Sequence, residues 1–136
     1  MDVASSIYAH LTTESSITAV NSTRVYPIAK AVASHFLYPS HIIYQRVNSS
    51  HPFTFGLSNE VKSELWQFDI YHKGYSELLT LTDAIITTLN AKQGSIPVGV
   101  SPAYEFEMIE LTGETQTYED DDNMYHAILS FRFHYS

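Results

Sequence analysis

Histidine, aspartate and glutamate have the most capacity for chemistry in this chain, and their spacing limits what they can do. Seven histidines invite a metal reading. His126 and His134 point to the same side of one extended segment, but at about 3.3 Å per residue they stand roughly 26 Å apart, too far to share an ion. His35 and His41 straddle a proline, and neither HxH nor HExxH spacing occurs. Asp120, Asp121 and Asp122 are consecutive, without the spaced ligands, central glycine and closing glutamate of a calcium loop. Serine and threonine are abundant, yet no GxSxG elbow accompanies them. Glu105 and Glu107 share a face of an extended segment, a solvent pattern before it is a catalytic pair. The five glycines are scattered, so no phosphate-cradling loop is present. These patterns point away from an enzyme, with no metal and no cofactor expected.

Composition sets further bounds. A chain of 136 residues is long enough for one domain with its own core and short for two. Its 44% hydrophobic and 13% aromatic content is that of a folded chain rather than a disordered one. Without cysteine there is no disulfide framework, no thiolate zinc site and no cysteine nucleophile, and either redox compartment is open. The net charge of −8 disfavours wrapping the outside of a DNA duplex, which needs clustered cations. No Lys or Arg lies between Lys92 and Arg132, while Glu105, Glu107, Glu110, Glu114, Glu119, Asp120, Asp121 and Asp122 all fall there. Such a run reads as a solvated acidic hairpin, or as a surface aimed at a basic partner or a channel through which DNA slides. The opening MDVASSIYAHL lacks the basic and long apolar regions of a signal peptide, and no apolar run approaches the ~20 residues of a membrane span.

The elements that must position these residues follow from periodicity. Val3, Ile7, Tyr8 and Leu11 recur at helical spacing, and Ile17 and Val20 mark a helical turn after a polar break. Arg24-Val25-Tyr26 is a short extended piece stopped by Pro27. Residues 41–47 are β-branched and aromatic and predict a strand. Residues 64–71 alternate, with Trp66, Phe68 and Ile70 on one face and Gln67, Asp69 and Tyr71 on the other. Tyr75, Leu78, Leu79, Thr82, Ile85, Ile86 and Leu89 form the strongest helical stripe, with Gly94 beyond it as a stop. Residues 94–102 read as a Gly/Pro loop, 105–117 as extended, and 119–123 as a turn. From Tyr125 to Tyr135 the odd positions are apolar or aromatic, which predicts a half-buried strand inside a sheet.

The order is α-β-β-β-α-β-β. It predicts an α+β fold, a mostly antiparallel sheet of about four to five strands with two helices on one face. Parity places Ile109 and Leu111 opposite Leu129, Phe131 and Phe133, and sends Phe106, Met108, Tyr44, Tyr71 and Ile128 to the other face. Apolar groups on both faces, with helices for one, suggest oligomerisation. Trp66 reads as core before it reads as a binding hot spot.

Several segments in this order resemble the tail-completion proteins of long-tailed bacteriophages, a group that includes tail-to-head joining proteins and tail terminators. Arg24-Val25-Tyr26-Pro27 is similar to the family's r-[VI]-[YF]-P opening. Tyr38-Pro39-Ser40-His41-Ile42-Ile43-Tyr44 is similar to its proline-then-strand element, and Gln67-Phe68-Asp69-Ile70-Tyr71 to its q-[VF]-D-[VI]-[YW] strand. The alternating aromatic ending resembles that family's f.v.y terminus. The motifs are short and mostly structural, and their order carries the resemblance across one domain, residues 1–136. The acidic segment 105–122 departs from the pattern.

The resemblance implies a homo-oligomeric, six-fold ring in the virion neck, assembled in the host cytoplasm. It implies a head-completion or connector protein on one side and the tail tube protein on the other, with DNA passing through the lumen and no membrane partner. No enzymatic activity carries over. A terminator that caps the tube is the alternative reading, and a small ligand-binding or enzymatic α+β domain, or an adaptor pairing through a sheet edge, are more remote ones. For a ring, the loops 27–40, 48–60 and 92–103 are the expected contacts through Phe36, Leu37, Phe53, Phe55, Ile96 and Val98, together with the acidic run Glu119, Asp120, Asp121 and Asp122.

Overall fold

A computed structural model describes residues 3–27, 39–50, 62–96, 104–120 and 123–135. Helices α1 (Val3–Thr13) and α2 (Ser15–Asn21) lead into strands β1 (Val25–Pro27), β2 (Ser40–Ser50) and β3 (Lys62–His72). Helix α3 (Tyr75–Leu89) follows, then β4 (Lys92–Ile96), β5 (Tyr104–Glu119) and β6 (Met124–Tyr135). The six strands form one sheet in the order β1-β2-β3-β6-β5-β4. β1 pairs with β2 in parallel, and every other pairing is antiparallel. The fold is thus α+β, with three helices and a mixed sheet. The helical turn after the first helix is a helix of its own, and Lys92–Ile96, read as part of a contact loop, is an edge strand. No helix among the described residues is long and apolar enough to cross a membrane.

Alternation builds the central strands. Glu64, Trp66, Phe68, Ile70 and His72 of β3 are buried, and the residues between them are half-buried. β6, between β3 and β5, buries Ala127, Leu129, Phe131, Phe133 and Tyr135 against the same layer. Period-two side-chain direction lets these sets meet one helix layer. Phe68 and Phe131 touch at 5.4 Å between ring centroids, and Val3, Ile7, Leu11 and Ile17 close the core from α1 and α2.

The buried stripe of α3 is Leu78, Leu81, Thr82, Ile85 and Leu89. Leu79 and Ile86 are half-buried shoulders, and Tyr75 is 46% exposed. With 3.6 residues per turn, positions 78, 81, 82, 85 and 89 follow one line down the helix, while 79 and 86 lie about 100° around from 78 and 85. The helix ends before Gly94: the Asn90 amide donates to the Ile86 carbonyl at 2.8 Å, and Ala91 turns the chain at φ 60°. Gly94 instead sits inside β4 at φ 96°.

Two irregularities in β5 decide which side its residues face. Lys92 pairs with Ile109 and Gly94 with Phe106, so three steps on β5 span two on β4. Phe106 and Ile109 therefore both enter the core, with the Phe106 ring 5.3 Å from Phe133. The expectation that Phe106 faces away is corrected by this bulge, which reverses parity along the strand. Ile109 pairs with Phe133 and Leu111 with Phe131, within the expected set, but a second shift between Leu111 and Gly113 sets Glu114 opposite Leu129. Tyr44 also belongs to the helix side. It lies two residues from buried Ile42 on the same face and stacks 6.0 Å from Trp66.

Candidate functional site

Side chains with chemical capacity gather in two places. The first lies on the sheet face opposite the packed core. Strand pairing sets His41, Tyr71 and His126 in one transverse row across β2, β3 and β6. Their rings stack: His41 and Tyr71 at 4.6 Å and 17°, Tyr71 and His126 at 4.1 Å and 12°. Two carboxylates flank the end of the row. His126 Nδ1 is 3.0 Å from Oε1 of Glu119, and His126 Nε2 is 3.4 Å from Oδ1 of Asp69. Asp69 also accepts a bond from Gln67 Nε2 at 3.0 Å. Burial is the strongest influence on His126 and lowers its pKa, but Asp69 and Glu119 together outweigh it and hold the imidazole above its ordinary value.

The second gathering lies where β2, β3 and β6 meet the start of α1. Glu64 is 5% exposed. It accepts a bond from Trp66 Nε1 at 3.0 Å and another from the Tyr135 hydroxyl, and Arg46 Nη1 stands 3.8 Å away. A cavity of about 470 Å³ opens beside them, lined by Val3, Ala4, Tyr44, Arg46, Glu64 and Trp66 among others. Trp66 is thus a core residue that also positions a buried carboxylate, a use of the indole N–H consistent with aromatic side chains that carry a polar end. Among the described residues, no group of three or more His, Cys, Asp or Glu is placed to hold a metal ion.

The expected contact residues divide sharply. Phe36, Leu37, Phe53, Phe55, Val98, Asp121 and Asp122 lie outside the described residues. Asp120 is exposed at the end of the long hairpin. Glu119 is half-buried because it turns back onto His126. Ile96 is fully enclosed in the core, and its carbonyl accepts a bond from Ser6 Oγ at 2.6 Å. A side chain enclosed by its own chain offers nothing to a neighbouring subunit, so Ile96 is removed from the candidate contacts. Sequence reasoning missed both gatherings. Tyr71 and Asp69 share a parity, which was legible, but His126 joins them only because β3 and β6 are neighbours.

A chain in the solved "Virion of native gene transfer agent (GTA) particle" has the same fold, with a TM-score of 0.69 over 97% of this chain and 92% of that one. The two are 11% identical, so the likeness is one of fold. No protein-family model matches the sequence, and no curated protein matches it.

Proposed function

We propose that this chain is a structural subunit of a phage-like virion, acting without enzymatic activity as a single domain in a ring at the head–tail junction. The observation that carries this reading is the end-to-end fold likeness to a chain of a gene transfer agent virion. At 11% identity the likeness is one of fold, so the reading is an analogy with the virion setting of that chain. Charge supports the same reading. A chain of net charge −8 with no Lys or Arg between Lys92 and Arg132 repels phosphate, and a neutral to acidic lumen lets DNA slide without sticking. The ring is proposed as a hexamer between a head connector and the tail tube protein.

Cryo-electron microscopy of the particles tests the position directly, with a ring of this chain expected between head and tail. Deleting the chain is expected to leave DNA-filled heads and separate tails. Tails of uncontrolled length would assign it as a terminator instead. Fully joined, infectious particles without it would sink the reading.

A further inference from the structure

Two strand edges of the sheet lack a neighbour among the described residues. β4 covers β5 only from Tyr104 to Ile109. Beyond that, Gly113–Glu119 pairs on one side alone, with β6. On the opposite flank, β1 covers β2 only from Ile42 to Tyr44. The rest of β2, from Gln45 to Ser50, pairs on one side alone, with β3, and a bulge at Val47 interrupts that pairing. The side chains of residues 114–118 and 46–49 are all exposed, although the Tyr75 hydroxyl reaches Gln116 and Tyr118 packs on Tyr125. Val47 at 53% and Tyr118 at 45% are two of the four large hydrophobics exposed among the described residues, and each sits on one of these edges. An open, extended edge with exposed apolar groups is a template for another strand, and monomeric proteins usually shield it.

The two edges complement each other. Gln45, Gln67, Ser130 and Gly113 form one transverse row of the sheet. From that row the β2 edge runs toward one end of the molecule and the β5 edge toward the other. β5 runs opposite to β2 within the chain, because the three intervening pairings are antiparallel. A second copy brought alongside by rotation therefore presents its β2 antiparallel to the first copy's β5, the same sense as the pairings inside the sheet. The offset between the edges demands strands tilted to the rotation axis, as every closed sheet has. Charge agrees: Glu114 is exposed on the β5 edge, where residues 113–119 hold no base, and Arg46 is exposed on the β2 edge, where residues 45–50 hold no acid.

We infer that Gly113–Glu119 of one copy adds to Gln45–Ser50 of a second copy as an antiparallel strand pair, joining subunits through backbone hydrogen bonds. The pairing is head-to-tail, so successive copies form a ring where the rotation between them closes. This inference rests on the ring reading above and names the surface that would make it.

The absence of cysteine makes the test clean. Thr115→Cys is combined in the full-length chain with Asn48→Cys, or with Ser49→Cys on the alternate face. Paired strands bring opposed Cα atoms within the ~4.4–6.8 Å that a disulfide needs. Mild oxidation of the concentrated protein should give a ladder of covalent multimers from one of the two combinations, while each single-cysteine variant gives none above a dimer. Native mass spectrometry of the same samples reads the oligomer independently. A ring that forms without any disulfide ladder overturns the edge pairing and leaves the ring reading standing. A chain that stays monomeric at every concentration and gives no ladder overturns the edge pairing and counts against the ring as well.

Discussion

The imidazole of His126 lies flat on the ring of Tyr71, with centroids 4.1 Å apart and 12° between the planes. That stack fixes the ring so that each nitrogen faces one carboxylate, Glu119 from the hairpin end and Asp69 from the neighbouring strand. The pairing ties the acidic end of β5 and β6 to the middle of the sheet.

This arrangement sets a pH dependence. The His126 pKa is raised in the fold, so its stabilising effect is complete below the ordinary value of about 6.5 and is lost as pH rises through the folded value. Wild-type stability should therefore decline as pH rises through neutrality, and His126→Gln should flatten that part of the profile. Urea midpoints measured from about pH 6 to pH 8 check it, and parallel profiles for the two proteins would remove His126 as the cause.

His10 predicts the opposite slope. Burial chiefly, and Lys92 secondarily, lower its pKa to about 4. Its Nε2 is 2.9 Å from Oγ1 of Thr88, a partner the neutral ring can use. Stability from this residue is present above about pH 6.5 and is lost as pH falls toward the folded value, a loss of roughly 3 kcal/mol across the full window. His10→Gln should show a shallower acid decline in the same titration.

The phase of α3 is testable by truncation. Leu81→Ala removes a fully buried side chain and should cost about 2–5 kcal/mol. Leu79→Ala, on the half-buried shoulder, should cost distinctly less. Equal losses in the denaturation midpoint would mean the stripe is centred elsewhere.

Tyr135→Phe deletes one donor to the buried Glu64 while keeping the ring. A hydrogen bond to a charged group contributes about 1.5–3 kcal/mol, so the loss should exceed that of an ordinary surface change. Thermal unfolding measures it, and no shift would mean water replaces the hydroxyl without cost.

At the hairpin end, Asp120→Asn should change stability by no more than about 0.5 kcal/mol, because the side chain is exposed. Glu119→Gln should cost more, since it removes the negative charge that faces His126. If the acidic run also serves assembly, both changes should weaken association with a reduced salt dependence.

Alternation in β3 and β6 made the fold class legible, and with it the meeting of Ile109 and Leu111 with the Phe131 and Phe133 face of β6, because strand parity is written directly in residue type. Parity failed where a bulge interrupts it: Phe106 enters the core because β5 carries an extra residue opposite β4. Ile96 was misplaced because Lys-Gln-Gly-Ser-Ile has no strand signature, and only pairing with β5 makes it one. The His41–Tyr71–His126 row was hidden for a different reason. It depends on which strands are neighbours, and local pattern carries no information about that.

Over residues 113–119, β5 is the outer strand of the sheet, yet it does not stand clear of the body: it pairs with β6 from Met124 to Ser130, and β6 from Tyr125 on pairs with β3. The side chains of residues 114–118 are exposed, whereas Phe68, Ile70, Ala127 and Leu129 in the same rows are enclosed. Stiffness therefore falls off across the sheet rather than along it: the inner strands resist deformation through close packing, and the outer strand loosens at lower cost. Amide exchange should be faster along residues 113–119 than in β3 and β6. A part built this way can adjust its flank to a neighbour while leaving its interior undisturbed.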